Sequence, residues 1–231
     1  MKTAREEFKE ELKEEKIKEN TRQLKEDSFL IVISVKDKSE EAVEILNNVY
    51  SDTEILIFTF KEYVILLGSF ENIQEHTCSI YETLYTSIYM KCYMSYVEIS
   101  DYVSLKNNFD LCRYKLNLAH KYHVSGKVFN MDSLMFESII DNLNEDEKNR
   151  IIAKFNEGFE RLDNDIIQSI DVFFELNLNL SEASKKLYVH RNSLIYRLDK
   201  IQKCTSYDIR KFNEAVIFKV AFAIWKQKRN I

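Results

Sequence analysis

The sequence predicts an α+β domain with a ferredoxin-like core, followed by an all-α domain. Three observations carry that reading. Short β-rich runs alternate with longer helical patterns up to about residue 131. Beyond it only the 3.6-residue period of helices appears. The 231-residue chain holds no proline and three glycines, which favours helices and argues against a loop-built site such as a glycine-rich phosphate cradle. With 45% apolar and 13% aromatic residues, the chain can fill packed cores.

The elements follow in order. Residues 1–26 carry eight Lys/Arg and eight Asp/Glu. They read as a charged lead-in helix held by Glu–Lys pairs at i,i+3 and i,i+4. Its apolar stripe thins from Phe8 and Leu12 to Ile17 and Leu24, short of a coiled-coil seam. Residues 28–35 are a continuous apolar run, as in a central buried strand. Residues 39–50 form a helix with Ser39 as cap and Ala42, Val43, Leu46 and Val49 inward. Residues 54–60 and 63–68 are strands joined by a hairpin at Lys61-Glu62. A helix over 71–89 turns Ile73, Ile80, Leu84 and Ile88 to one side. Residues 91–99 are a fourth strand. A long helix over 101–123 carries Leu105, Phe109, Cys112, Leu116, Ala119 and His123 on one stripe, and 127–130 add a short strand. The order β-α-β-β-α-β-α-β contains the split βαβ unit of ferredoxin-like folds.

The second half is helical. Leu134, Phe136, Ile139, Ile140 and Leu143 are the apolar positions of connecting helices over 133–161, with an acidic helix start at 144–147. Residues 163–176 form a helix packed through Ile166, Ile167, Ile170, Phe173 and Phe174. Asp208 caps a final helix carrying Ile209, Phe212, Val216, Val220, Phe222, Ala223 and Trp225. The predicted organisation is a lead-in helix over 1–26, an α/β domain over 27–131, a helical connector over 132–161 and a helical domain over 162–231.

Residues 177–201 hold most of the functional information. Ser181 is the expected N-cap of a first helix in which Ala183 and Leu187 share a face. Tyr188-Val189-His190 form a tight turn, with Val189 plugging the angle. In the second helix, Leu194, Leu198 and Ile201 are spaced i, i+4, i+7 and form its buried stripe. Asn192, Tyr196, Asp199 and Lys203 point the opposite way, Arg191 and Arg197 flank the stripe, and Ser193, Ile195 and Lys200 lie on its sides. This is the plan of a helix-turn-helix, whose second helix lies in the major groove of DNA and reads bases near its start. The candidate DNA-binding residues are His190, Arg191, Asn192, Ser193, Tyr196, Arg197 and Lys200, with Lys200 gripping a phosphate.

Charge distribution agrees. The chain is −5 overall, but residues 181–231 hold twelve Lys/Arg against four Asp/Glu, giving +8, while the first 180 hold 21 against 34, giving −13. A basic C-terminal module on an acidic body suits phosphate contact.

The run Leu-Ser-Glu-Ala…Leu-Tyr-Val-His-Arg-Asn-Ser-Leu-Ile-Tyr-Arg-Leu-Asp-Lys-Ile closely resembles the C-terminal DNA-binding domain of the PucR/CdaR family of bacterial transcriptional regulators. Ser193 stands where the family has Thr and keeps the hydroxyl. Ser184 replaces an Ala, and residues 204–208 replace a segment that usually contains Gly. The resemblance implies a preceding degenerate relative of the diguanylate cyclase (GGDEF) domain with the element order above. The turn that would match the cyclase signature is Thr59-Phe60-Lys61-Glu62-Tyr63. It lacks both glycines and the acidic pair, so the α/β domain is expected to be non-catalytic and Glu62 a solvated turn residue.

The resemblance further implies a sequence-specific transcriptional regulator of double-stranded DNA, more often an activator, with RNA polymerase as a further partner, and a homodimer is expected because one helix-turn-helix reads only a short half-site. It also places the last helix in the DNA-binding domain, where it closes the bundle and contributes to dimerisation. For the dimer seam the residues to test are Phe222 and Trp225, although core packing also explains them. Two rival classes stand beside this reading. A small-molecule or nucleotide sensor acting through the α/β domain would need an apolar pocket with convergent polar groups. A helix-turn-helix that binds protein would show no salt-sensitive DNA binding.

Other chemistry finds little support. Cys78, Cys92, Cys112 and Cys204 are widely spaced, with no CxxC, and read as buried or half-buried thiols of a reducing compartment. His76, His120, His123 and His190 do not cluster with a nucleophile. His120 and His123 share a helix face but lack a third ligand, so no metal or other cofactor is expected. No apolar run reaches the roughly 18 residues of a membrane span, and the N-terminus has no signal-like segment. A non-enzymatic, cytoplasmic protein is therefore expected.

Overall fold

The computed structural model describes residues 27–89, 91–100 and 104–229, and the predicted lead-in helix lies outside them. The chain divides into two compact units that meet between Met135 and Phe136.

The first unit is a five-stranded sheet with helices on both faces. β1 (Ser28–Ser34) is its centre, pairing antiparallel with β3 (Tyr63–Ser69) on one side and β4 (Tyr93–Glu98) on the other. β2 (Leu56–Phe60) pairs antiparallel with β3 across the two-residue Lys61-Glu62 turn, and the two-residue β5 (Val128–Phe129) adds in parallel to β4. The order β2-β3-β1-β4-β5 contains the four-strand arrangement of the split βαβ plan. α1 (Ser39–Val49) and α2 (Ile73–Ile88) cover one face, over Ile31, Ile33, Val64 and Leu66. α3 (Leu105–Lys121) covers the other, over Leu30, Val32, Phe60 and Ile65. Burial on both faces explains why β1 is apolar without alternation. Ser39 does not cap α1. A 3-10 turn over Lys36–Lys38 leads straight into the helix and Lys38 occupies the cap, without a side-chain bond.

The second unit is wholly helical among its described residues: α4 (Met135–Asp141, which starts at the junction), α5 (Glu145–Ala153), α6 (Asn156–Glu160), α7 (Asn164–Glu175), α8 (Leu180–Lys186), α9 (Arg191–Thr205) and α10 (Phe212–Arg229). Asn144 and Asp163 cap α5 and α7 by accepting from the Glu147 and Ile166 N–H groups. Ile170, Phe173, Leu194, Leu198, Ile201, Phe218 and Trp225 form one core. The stretch read as a connector contributes to it, since Phe159 stacks against Phe155 and lies edge-on to Phe218. Phe222 and Trp225 are 4% and 3% exposed, so they belong to this core and offer no outer seam. Gly158 of α6 lies against the last turn of α9. A Cβ there would come within 2.5 Å of the Cys204 carbonyl oxygen.

Asp208 does not cap α10, which starts four residues later. Its carboxylate instead accepts from the backbone N–H and the Nε of Arg210, at 3.1 and 2.6 Å. That pairing is the main cause holding its pKa below the ordinary carboxylate value. Left-handed backbone is carried by non-glycine residues. Lys61, Tyr89, Asn177, Leu178, Tyr188 and Ser206 all have φ between 53° and 65°, and none of the glycines does. For an L-residue this conformation costs roughly 1–2 kcal/mol.

Candidate nucleic-acid interface

α8 and α9 form the helix-turn-helix. Asn179, not Ser181, caps α8, its Oδ1 accepting from the N–H groups of Ser181 and Glu182 at 3.1 and 3.2 Å. Ala183 is fully buried, which allows the close approach of the two helices. The chain then reverses through Tyr188, at φ 53°, whose N–H donates to the Lys185 carbonyl. Leu187 and Val189 on either side pack into the core, and Tyr188 itself stands 96% exposed.

His190 is the N-cap of α9. Its Nδ1 accepts from the Asn192 N–H at 3.2 Å, which places the imidazole proton on Nε2. Leu194, Leu198 and Ile201 are at most 1% exposed, so the predicted stripe is the buried one. Arg191, Asn192 and Ser193 are exposed in the first turn, and Tyr196 one turn later is 69% exposed. These residues share the outer side of one helix start, where base edges are read.

Arg197 and Lys200 are differently placed. Arg197 donates to the Ser169 hydroxyl at 2.8 Å and to both the carbonyl and the carboxylate of Asp165 at 3.3 Å. Lys200 donates to the Asp163 carboxylate at 2.8 Å. The Lys200 ammonium, followed by the Ile166 N–H, lowers the Asp163 pKa, and Asp163 in turn raises that of Lys200. Both cations thus tie α9 to the N-terminal turn of α7 and flank a groove that also exposes Asn192, Ser193 and Tyr196. A phosphate contact by either would have to displace these partners. Asp163, Asp165 and Ser169 were missed in the sequence because they lie 28 to 37 residues away, where no helical period connects them to α9.

The same pairing recurs across the unit. Residues 136–231 hold sixteen Lys/Arg and fifteen Asp/Glu, a net +1. Of the twelve cations after residue 180, nine pair with a carboxylate and Lys219 sits over the Phe136 ring. Arg191 and Lys203, both exposed on α9, have no such partner among the described residues.

The first unit offers less chemistry. Glu62 is exposed in its turn, beside Tyr63, whose phenol is pushed up by burial and then by Glu62. His120 bonds the Ser34 hydroxyl at 3.2 Å and packs edge-on to Tyr93. Burial, followed by the charges of Lys36 and His123, lowers its pKa. No three His, Cys, Asp or Glu side chains converge as a metal site among the described residues. Burial pushes the Cys92 and Cys112 thiols up to about 11 and 12, which leaves them unreactive, whereas Cys78 is exposed, contrary to its expected burial. No described helix is long and apolar enough to cross a membrane.

An exposed first turn on a buried, capped second helix defines a helix-turn-helix domain of the nucleic-acid-binding kind. Residues 166–224 match the PucR C-terminal helix-turn-helix domain. The carbohydrate diacid regulator of Escherichia coli (strain K12) is 27% identical over 97 residues, 41% of this chain and 25% of that protein. The purine catabolism regulatory protein of Bacillus subtilis (strain 168) is 42% identical over 41 residues, 18% of this chain and 8% of that protein. The uncharacterized protein YxkF of Bacillus subtilis (strain 168) is 34% identical over 91 residues, 38% of this chain and 31% of that protein. The chain therefore spans less than a third of the length of these relatives. A crystal structure of the regulator of polyketide synthase expression from Bifidobacterium adolescentis aligns over 87% of this chain and 80% of that one. At 17% identity and a TM-score of 0.37 that likeness is too distant to carry an argument.

Proposed function

We propose that this chain is a transcriptional regulator that binds a specific DNA duplex through α9, with an activating role and a two-copy assembly on DNA. The observation that carries the reading is the first turn of α9. His190 fixes its start, Arg191 and Asn192 project from it unburied, and the helix behind them is locked to the core and to α7. A rigid helix with a free Arg and Asn at its start is equipped for base edges, Arg pairing with guanine and Asn with adenine. Tyr196 and Ser193 extend the same face. Arg197 and Lys200 serve as its anchor.

Two copies are part of the reading because one helix-turn-helix spans only a short half-site. A second half-site about 34–36 Å away supplies the missing selectivity. The first unit serves as a non-catalytic scaffold of degenerate GGDEF-like type. Its β2–β3 turn holds neither glycine nor a pair of acids, which supports that role. Contact with RNA polymerase follows from the activating role.

The test is selection of duplexes from a random pool by the full chain, followed by footprinting. Two protected half-sites with approximate inverted symmetry are expected. Recovery of no enriched sequence, or binding that does not change with salt, would refute the proposal.

A further inference from the structure

The left-handed backbone of Tyr188 closes the C-terminus of α8, but its side chain gains nothing within the protein. Its φ of 53° is the left-handed conformation that glycine adopts freely. A bulky aromatic residue there is normally kept because its ring packs or its hydroxyl bonds. Here the side chain is 96% exposed and has no ring contact or hydrogen bond among the described residues. The backbone of the turn is satisfied without it, through the Lys185 and Ser184 carbonyls. The turn uses the backbone conformation and not the ring, so a tyrosine here in place of glycine points to a use outside the fold.

The surroundings identify the partner. Tyr188 lies three residues before Arg191, the free cation that opens α9, and two or three after Lys186 and Lys185, whose ammonium groups are on the surface. When the start of a recognition helix enters the major groove, the turn before it stands at the groove rim, where the sugar–phosphate strand runs. We infer that Tyr188 is a DNA-backbone contact, its hydroxyl donating to a non-bridging phosphate oxygen while its ring lies along the deoxyribose. Tyrosine is among the side chains that make such contacts, which position a protein without reading sequence. The inference rests on the DNA-binding reading above and adds a contact to it. Tyr89 supplies the control. It has the same φ and is 87% exposed, but it ends α2 in the other unit.

The experiment uses the full chain and the duplex that the wild-type chain selects from a random pool. Affinity is read by fluorescence anisotropy and stability by the fluorescence of Trp225. Tyr188→Phe is expected to weaken binding about tenfold, the scale of a hydrogen bond to a charged group. The salt slope should stay unchanged, since no cation is lost. Tyr188→Gly is expected to weaken binding at least as much while raising the melting temperature by a few degrees, about the value of relieving one strained residue. Tyr89→Gly should bind like wild type.

Two outcomes overturn the inference. One is Tyr188→Gly binding within twofold of wild type while Arg191→Ala loses affinity, in which case the DNA-binding reading survives alone. The other is a lower melting temperature for Tyr188→Gly, which would give the side chain a role inside the fold. If the wild-type chain selects no duplex, both readings fall together.

Discussion

Gly158→Ala sets two opposing effects against each other. Alanine in place of glycine within α6 gains about 1 kcal/mol of helix propensity. The new Cβ, however, would stand 2.5 Å from the Cys204 carbonyl oxygen, 3.1 Å from its carbon and 3.0 Å from Thr205 Cγ2. A Cβ has no rotamer to escape into, and two of these three atoms are backbone of the last turn of α9. The helices must separate by several tenths of an ångström, and overpacking of this kind costs about 1–3 kcal/mol. With contacts this short the clash outweighs the propensity gain, for a net loss of up to about 2 kcal/mol. For a unit of this size that lowers the melting temperature by up to about 15 °C. Trp225 reports the event directly. It is the only tryptophan, is 3% exposed, and its ring centre lies 5.3 Å from that of Phe159, the neighbour of Gly158. A melting temperature equal to or above wild type would show that α6 and α9 part at no cost, and the packing argument would fail.

Other perturbations follow the same geometry. Arg191→Ala and Asn192→Ala should each weaken specific binding by about 1–3 kcal/mol, and the arginine variant should also reduce the salt slope by about one per copy. Wild-type titration curves for both would misplace the interface. Arg197→Gln should weaken binding with the slope unchanged, because its charge already faces Asp165 and Ser169. In a double-mutant cycle with Asp165→Asn the two losses should be strongly non-additive, and simple additivity would refute the anchoring role. The Asp208 pKa is depressed in the folded chain, so its stabilising contribution is complete above the ordinary value near 3.9 and is lost as pH falls through the lower folded value. Asp208→Asn should therefore flatten the acid limb of a stability–pH curve, and an unchanged limb would count against the Arg210 pairing. Incubation with GTP and Mg²⁺ or Mn²⁺ should yield no cyclic dinucleotide, and turnover abolished by Glu62→Ala would overturn the scaffold role.

The parts of this molecule that rest on burial were legible in the sequence. β1 announces itself by an unbroken apolar run because both of its faces are covered, and Leu194, Leu198 and Ile201 mark the inner side of α9 by spacing alone. The parts that rest on competition between polar groups were not. Ser39, Ser181 and Asp208 are all good capping residues, yet Lys38 after a 3-10 turn, Asn179 and a later start of α10 displaced them. The excess charge after residue 180 was read correctly as a count and too generously as a surface. The acids that neutralise it lie in α5, α6 and α7 and meet it only once the chain has folded. The left-handed positions gave no sign either, because the residues that hold them are not glycine.

That internal neutralisation bears on how the protein would find its site. A +1 helical unit casts almost no field beyond a Debye length of about 8 Å at physiological salt, so approaching DNA is neither drawn in nor turned until it is close to α9. Encounter then proceeds near the unsteered rate, on the order of 10⁵–10⁷ M⁻¹s⁻¹. Captured non-target DNA is also released quickly, because among the described cations after residue 180 only Arg191 and Lys203 hold it without giving up another partner. Such a search depends on brief three-dimensional visits more than on long slides, and residence time is decided at the few side chains that touch the correct sequence.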